Sequence, residues 1–192
     1  FRTTRLDAFS DGVFAIVITL LVLELRIPEV EGGPHLSEEL LHGLAALLPK
    51  FFSFVVSFAY ISIYWVNHHQ LFHMLKKSDR GLFWLNSIFL MFLTFIPFPT
   101  ALIGSYPGEP VAVIFYGIAM FFTAISFIGM KEYIFAGGLV DTAHAHRPPF
   151  FYNLAGPLLY SAAVFLALVD VRLAITIYVL IPVIYFFAGK EV

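Results

Sequence analysis

Long apolar runs, separated by short polar breaks, constrain this chain more than any other feature. Between Asp11 and Glu24 it carries no charge, and Thr19 is the only hydroxyl. Comparable runs recur to the C-terminus. A helix needs about 20 apolar residues to cross the hydrocarbon core of a bilayer. The spans read as Leu6–Ile27, Leu44–Phe72, Leu82–Ile103, Val111–Phe135, Phe150–Val169 and Arg172–Ala188. The expected fold is an all-α, polytopic membrane protein with six transmembrane helices in one domain spanning residues 1–192. Charged residues make up 12% of the chain, against roughly 25% in soluble domains, too few to coat a water-soluble surface. The lipid bilayer is therefore an expected partner.

The breaks carry turn chemistry. Pro28 closes the first run, and Glu29–Glu39, with Gly32-Gly33-Pro34, reads as an acidic loop. Pro49 stands near the start of the second run, which is longer than a bilayer requires. Lys76, Lys77, Ser78, Asp79 and Arg80 form a basic turn, and Pro97 and Pro99 predict a late kink or break in the third run. Gly156-Pro157 and Pro182 interrupt the fifth and sixth runs. The first run is long enough to span and no small-residue cleavage site follows it, so it is expected to be a retained helix. Opening on Phe1 in place of Met, the chain is expected to have residues before it.

Orientation follows from lysine and arginine placement. Arg2, Arg5, Lys76, Lys77, Arg80, Lys131, Arg147 and Lys190 collect on one side. Arg26, Lys50 and Arg172 fall on the other, with Glu29, Glu31, Glu38, Glu39 and Glu109. The basic side is expected to be cytoplasmic, which puts both termini inside a cell membrane, as an even number of spans requires. A net charge of −2 offers nothing to nucleic acid, and the absence of cysteine removes disulfides, thiolate metal sites and a cysteine nucleophile.

Chemistry-bearing residues concentrate at the start of the first run. Arg5, Asp7, Ser10 and Asp11 bring ionisable groups to the edge of the membrane, where such groups usually face protein or water. Arg5 and Phe9 share a helix face. Arg5 and Asp11 are too far apart for a routine pair, so each is expected to bond a neighbouring helix, unless the segment is only an interfacial anchor. Ile16, Leu20 and Leu23 form one stripe with Thr19 beside it, a pattern equally met in ordinary helix packing.

The string Arg5-x-x-x-Phe9-Ser10-Asp11, continuing Gly-Val-Phe-Ala-Ile-Val-Ile-Thr-Leu-Leu-Val-Leu-Glu, resembles the transmembrane protein 175 family of lysosomal and prokaryotic potassium channels. Tyr64-Trp65-Val66-Asn67-His68-His69, Leu85-Asn86 and Phe95-Ile96-Pro97-Phe98-Pro99-Thr100 are also similar. The likeness covers the first three spans; the last three agree only in number and hydrophobicity. A single six-span unit is similar to a prokaryotic member. The resemblance implies a homotetrameric channel for potassium ions, without a Thr-Val-Gly-Tyr-Gly filter. The first helix would line the pore, with constriction at Ile16 and further layers at Thr19, Leu20 and Leu23. Arg5, Phe9, Ser10 and Asp11 would brace that helix, with Trp65, His68 or His69, and Asn86 as partners. Rings of aliphatic side chains gate by dewetting, and an ion passing them sheds part of its water. Potassium sheds it more readily than sodium.

Other chemistries are weaker. His69 and His73 are i,i+4, but the sequence offers no third metal ligand, so no metal site is expected. His144 and His146 read as solvated loop residues. No nucleophile, base and orienting acid stand together, so no enzyme and no cofactor are expected. A secondary transporter would exploit the broken fifth and sixth runs, but no ionisable residue lies at mid-depth. A non-conducting membrane scaffold is the remaining alternative.

Overall fold

The computed structural model describes residues 3–30, 33–140 and 150–188. Among these the regular structure is helical, and the sole extended pairing is an isolated bridge between Leu75 and Val140. The helices are α1 (Thr3–Leu21), α2 (Leu36–Ala46), α3 (Leu48–His73), α4 (Arg80–Phe95), α5 (Pro97–Ser105), α6 (Pro110–Ala136), α7 (Phe150–Ala167) and α8 (Val171–Ala188). Asp141, His144, His146 and Arg147 lie outside the described residues, as do Arg2, Glu31 and Lys190.

Four helical stretches are long and apolar enough to cross a membrane: Thr3–Glu24, Leu48–His73, Arg80–Ser105 and Pro110–Ala136. Two shorter apolar stretches follow, Asn153–Ala167 and Val171–Phe187. The helix count exceeds the expected six for two reasons, both involving proline. The run expected to open at Leu44 is divided at Leu47, because Pro49 has no N–H and its ring meets the carbonyl four residues back. Leu47 N–H bonds Leu44 O at 3.1 Å, a tightened last turn, and α3 restarts with proline in its first turn, where it costs no hydrogen bond. The third run is divided at Ile96 by Pro97 and Pro99 in the same way.

The expected loop 29–39 also ends early. Leu36–Glu39 is the first turn of α2, and Glu38 and Glu39 sit where the helix dipole favours acids. No residue of α2 is buried.

Packing places α1 against α3 and α4, α6 against α4 and α7, α3 against α5, and α8 against α7 and α3. The buried stripe of α1 is Leu6, Ser10, Phe14, Val17 and Leu21, at helical spacing. Phe14 seats between α3 and α4, edge-on to His68 at 5.5 Å and tilted on Phe89 at 6.1 Å. A second buried join unites four helices. Thr100 Oγ1 donates to Ser57 Oγ (2.7 Å), which bonds Tyr116 Oη (3.0 Å), while the Tyr60 hydroxyl donates to Tyr178 O and the Tyr178 hydroxyl to Val113 O. Apolar side chains gain little by leaving lipid for protein, so close packing and such polar joins carry more of the association here than in water.

Candidate functional site

The stretch Thr3–Glu24, which is α1 and the 3-10 turn Val22–Glu24 that continues it, divides into two faces. One is buried in the protomer. The other holds Arg5, Phe9, Gly12, Ile16, Thr19, Leu20 and Leu23, all exposed, with Ile16 at 60% and Leu23 at 66%. Thr19 turns its hydroxyl back onto its own helix, donating to Ile16 O at 2.8 Å and Ala15 O at 3.1 Å, which satisfies the donor without a neighbouring helix.

The buried face ends in a polar chain joining three helices. Asn86 of α4 donates through Nδ2 to Ser10 Oγ (2.9 Å), and Ser10 Oγ donates to Leu6 O (2.9 Å). Asn86 Oδ1 lies 2.9 Å from His68 Nε2. An amide oxygen only accepts, so Nε2 carries the proton and His68 Nδ1 holds the lone pair. Ser10, His68 and Asn86 are each wholly buried, and Nδ1 has no hydrogen-bond partner. Phe72 stacks on the His68 ring at 3.9 Å, holding it from the far side.

About 100° round α1 from Ser10, Trp65 Nε1 donates to Asp11 Oδ1 at 2.9 Å. Of the two histidines open as partners, His68 joins the chain through Asn86, whereas His69 stacks on Trp65 with ring centroids 5.9 Å apart. Arg5 and Phe9 stand on the exposed face, away from α3 and α4. The fold thus brings Ser10, Asp11, Trp65, His68 and Asn86 into two contacts that fix α1 to α3 and α4. It leaves Arg5, Phe9, Ile16, Thr19, Leu20 and Leu23 along the opposite stripe.

The family model for the endosomal/lysosomal potassium channel TMEM175 matches residues 5–97, a stretch that contains every residue of both contacts and of the open stripe. A potassium channel of Streptomyces collinus is 37% identical over 191 residues, covering 95% of this chain and 91% of that one. This chain belongs to the TMEM175 family.

The fold agrees as well. The crystal structure of a lysosomal potassium-selective channel TMEM175 homolog from Chamaesiphon minutus superposes with a TM-score of 0.83 at 34% identity, covering 98% of each chain. By sequence, a potassium channel of that organism aligns at 45% identity over 111 residues, which is 58% of this chain and 54% of that one. The endosomal/lysosomal proton channel TMEM175 of Homo sapiens aligns at 34% identity over 110 residues, or 22% of its length. TMEM175 is an ion-channel family, not an enzyme family, and with several apolar helices this chain is a multi-pass membrane protein.

Two residues of the TMEM175 segment have contacts that the sequence does not assign to them. Phe14 looks like one more apolar residue, yet it is the side chain that α3 and α4 close around. Asp7 lies one turn before Asp11, and its carboxylate approaches those of Asp11 and the imidazole of His69. The i,i+4 spacings Asp7–Asp11 and Trp65–His69 were the available signal.

Proposed function

We propose that this TMEM175 member is a potassium-permeable cation channel in which four copies of α1 surround a common axis. The observation that carries the reading is the open stripe of α1. Ile16, Thr19, Leu20 and Leu23 are exposed in the protomer, although α1 is held firmly by α3 and α4 on its other side. An aliphatic stripe fixed in direction and left uncovered is the arrangement a hydrophobic neck needs. Four Ile16 side chains form the constriction, with Thr19, Leu20 and Leu23 as successive layers towards the outside. The Ser10–Asn86–His68 chain and the Trp65–Asp11 bond set the rotation of α1, and Arg5 and Phe9 meet neighbouring protomers at its inner end.

In this reading six helical stretches cross the bilayer. The two short ones, α7 and α8, hold 18 residues each, about 27 Å of helix and close to the hydrocarbon thickness. The start of α1 and the end of α3 share one side with Lys76, Lys77 and Arg80, and the bias in basic residues makes that side cytoplasmic, with both termini inside the cell membrane. The acids of α2 lie at the outer mouth, where they raise the local cation concentration.

The test is flux from liposomes loaded with potassium. Purified protein is expected to pass potassium down its gradient at rates far above one ion per conformational cycle, and sodium less readily. Ile16→Asn is expected to change conductance or the potassium-to-sodium ratio. Unchanged flux in that variant removes Ile16 from the constriction. Slow, saturable flux in the parent protein identifies a carrier, and silence from folded protein identifies a scaffold. A pH-sensitive dye in the same vesicles separates proton from potassium movement.

A further inference from the structure

His69 and His73 alone lack a third metal ligand; the fold supplies two. Asp7 and Asp11 stand one turn apart on α1, and α3 lays His69 opposite both. One ligand atom from each of the three lies within 4.8 Å of the other two. Oδ1 of Asp7 is sealed from solvent and receives no hydrogen bond from the protein. A carboxylate oxygen in that condition is costly and calls for a partner that accepts lone pairs. Trp65 holds two members of the group at once, donating to Asp11 Oδ1 at 2.9 Å and stacking on His69. Metal ligands are characteristically oriented by an outer layer of this kind. His73 follows one turn along α3, its ring centroid 6.5 Å from that of His69.

We propose that Asp7, Asp11 and His69 form a site for a divalent transition-metal ion of the zinc class, tying α1 to α3. The donor set decides the class. Imidazole with carboxylate suits zinc and its neighbours, whereas magnesium prefers octahedral oxygen and keeps its waters. With zinc bonds near 2.1 Å, ligand atoms in a tetrahedral shell stand about 3.4 Å apart. Binding requires small side-chain rotations of His69 and the two carboxylates, from 4.8 Å to that spacing, and the exposed edge of His69 leaves room for them. Water or His73 completes the shell. Because Asp11 and Ile16 share one helix, the bound ion resists any movement of α1 across α3. Binding stands whether or not α1 lines a pore, so its test and the flux test fail independently.

Tag-free protein in detergent is titrated with zinc chloride by calorimetry, with magnesium chloride in parallel, and its melting temperature is read with and without zinc. One saturable zinc site per protomer is expected, with no magnesium counterpart and a higher melting temperature. His69→Ala and Asp7→Asn are each expected to weaken zinc binding by roughly tenfold or more and to abolish the zinc-induced rise. Trp65→Phe, which keeps an aromatic ring but loses the N–H, is expected to weaken binding while leaving the site saturable. His42→Ala, on α2 beyond the far end of α3, is expected to bind as the parent does. Absence of saturable zinc binding in the parent protein overturns the proposal. So does parent-like binding in both His69→Ala and Asp7→Asn.

Discussion

At the scale of the residue, Asn86 joins three helices through one side chain. Its amide reaches Ser10 of α1 on one side and His68 of α3 on the other, all three buried. Asn86→Ala strands the His68 Nε2–H away from any acceptor, and an unpaired buried donor costs about 1–3 kcal/mol. The melting temperature in detergent is expected to fall by several degrees. Asn86→Leu, similar in volume but unable to bond, is expected to fare no better, which separates the hydrogen bonds from the packing. Ser10→Ala is milder, because Ser10 lends its own proton to Leu6 O and loses only one contact with Asn86.

Element boundaries rest on a few side chains whose chemistry is explicit. Asp79 caps α4, accepting Leu82 N–H on Oδ1 (2.8 Å) and the Tyr133 hydroxyl on Oδ2 (2.9 Å), so it also ties the start of α4 to α6. The Leu82 N–H first, and the Tyr133 hydroxyl with it, hold the Asp79 carboxyl below the usual carboxylate range. The folded state therefore binds this proton more weakly than the unfolded chain. The resulting stabilisation is complete above the ordinary aspartate range and is lost as pH falls through the lowered folded value. Asp79→Asn is expected to flatten the acid limb of a melting-temperature against pH curve; an unchanged limb rules the cap out as its source. Gly117 of α6 sits where side chains of α7 and α8 crowd its backbone. A Cβ there would stand 2.1 Å from the Tyr178 hydroxyl and 2.7 Å from Val164 Cγ2. That hydroxyl is held by Val113 O, so it cannot simply swing aside. Gly117→Ala is expected to cost about 1–3 kcal/mol, the usual penalty of overpacking, read as a lower melting temperature.

On the scale of the whole molecule, α1 has one engaged face and one open face. α1 is fully engaged along Leu6, Ser10, Phe14, Val17 and Leu21 and open along Ile16, Leu20 and Leu23. Under the proposed function the open stripe is covered by three further copies. Chemical cross-linking in native membranes, or the mass of the detergent-solubilised particle, is expected to give a tetramer. A monomer that still conducts potassium would sever conduction from the shared axis.

Much of this architecture was legible in the chain itself. Apolar run length determined the helical class, because an unpaired backbone in lipid leaves no alternative to helices or a closed barrel. Pro97 and Pro99 located the break after Phe95, since proline removes a donor and clashes with the preceding turn wherever it occurs. Pro49 acts by the same rule and splits a run that is otherwise continuous in hydrophobicity, and the turn at Leu36–Glu39 is hidden by neighbouring glycine and proline. The motif residues Ser10, Asp11, Trp65, His68 and Asn86 were visible as a set. Which of them touch was decided only by tertiary structure, because the choice between His68 and His69 depends on a rotation of about 100° on α3 that local sequence does not fix. The nearness of Asp7 to His69 was settled the same way: periodicity acts along one helix, while a ligand set drawn from two helices exists only once their packing sets the distance between them.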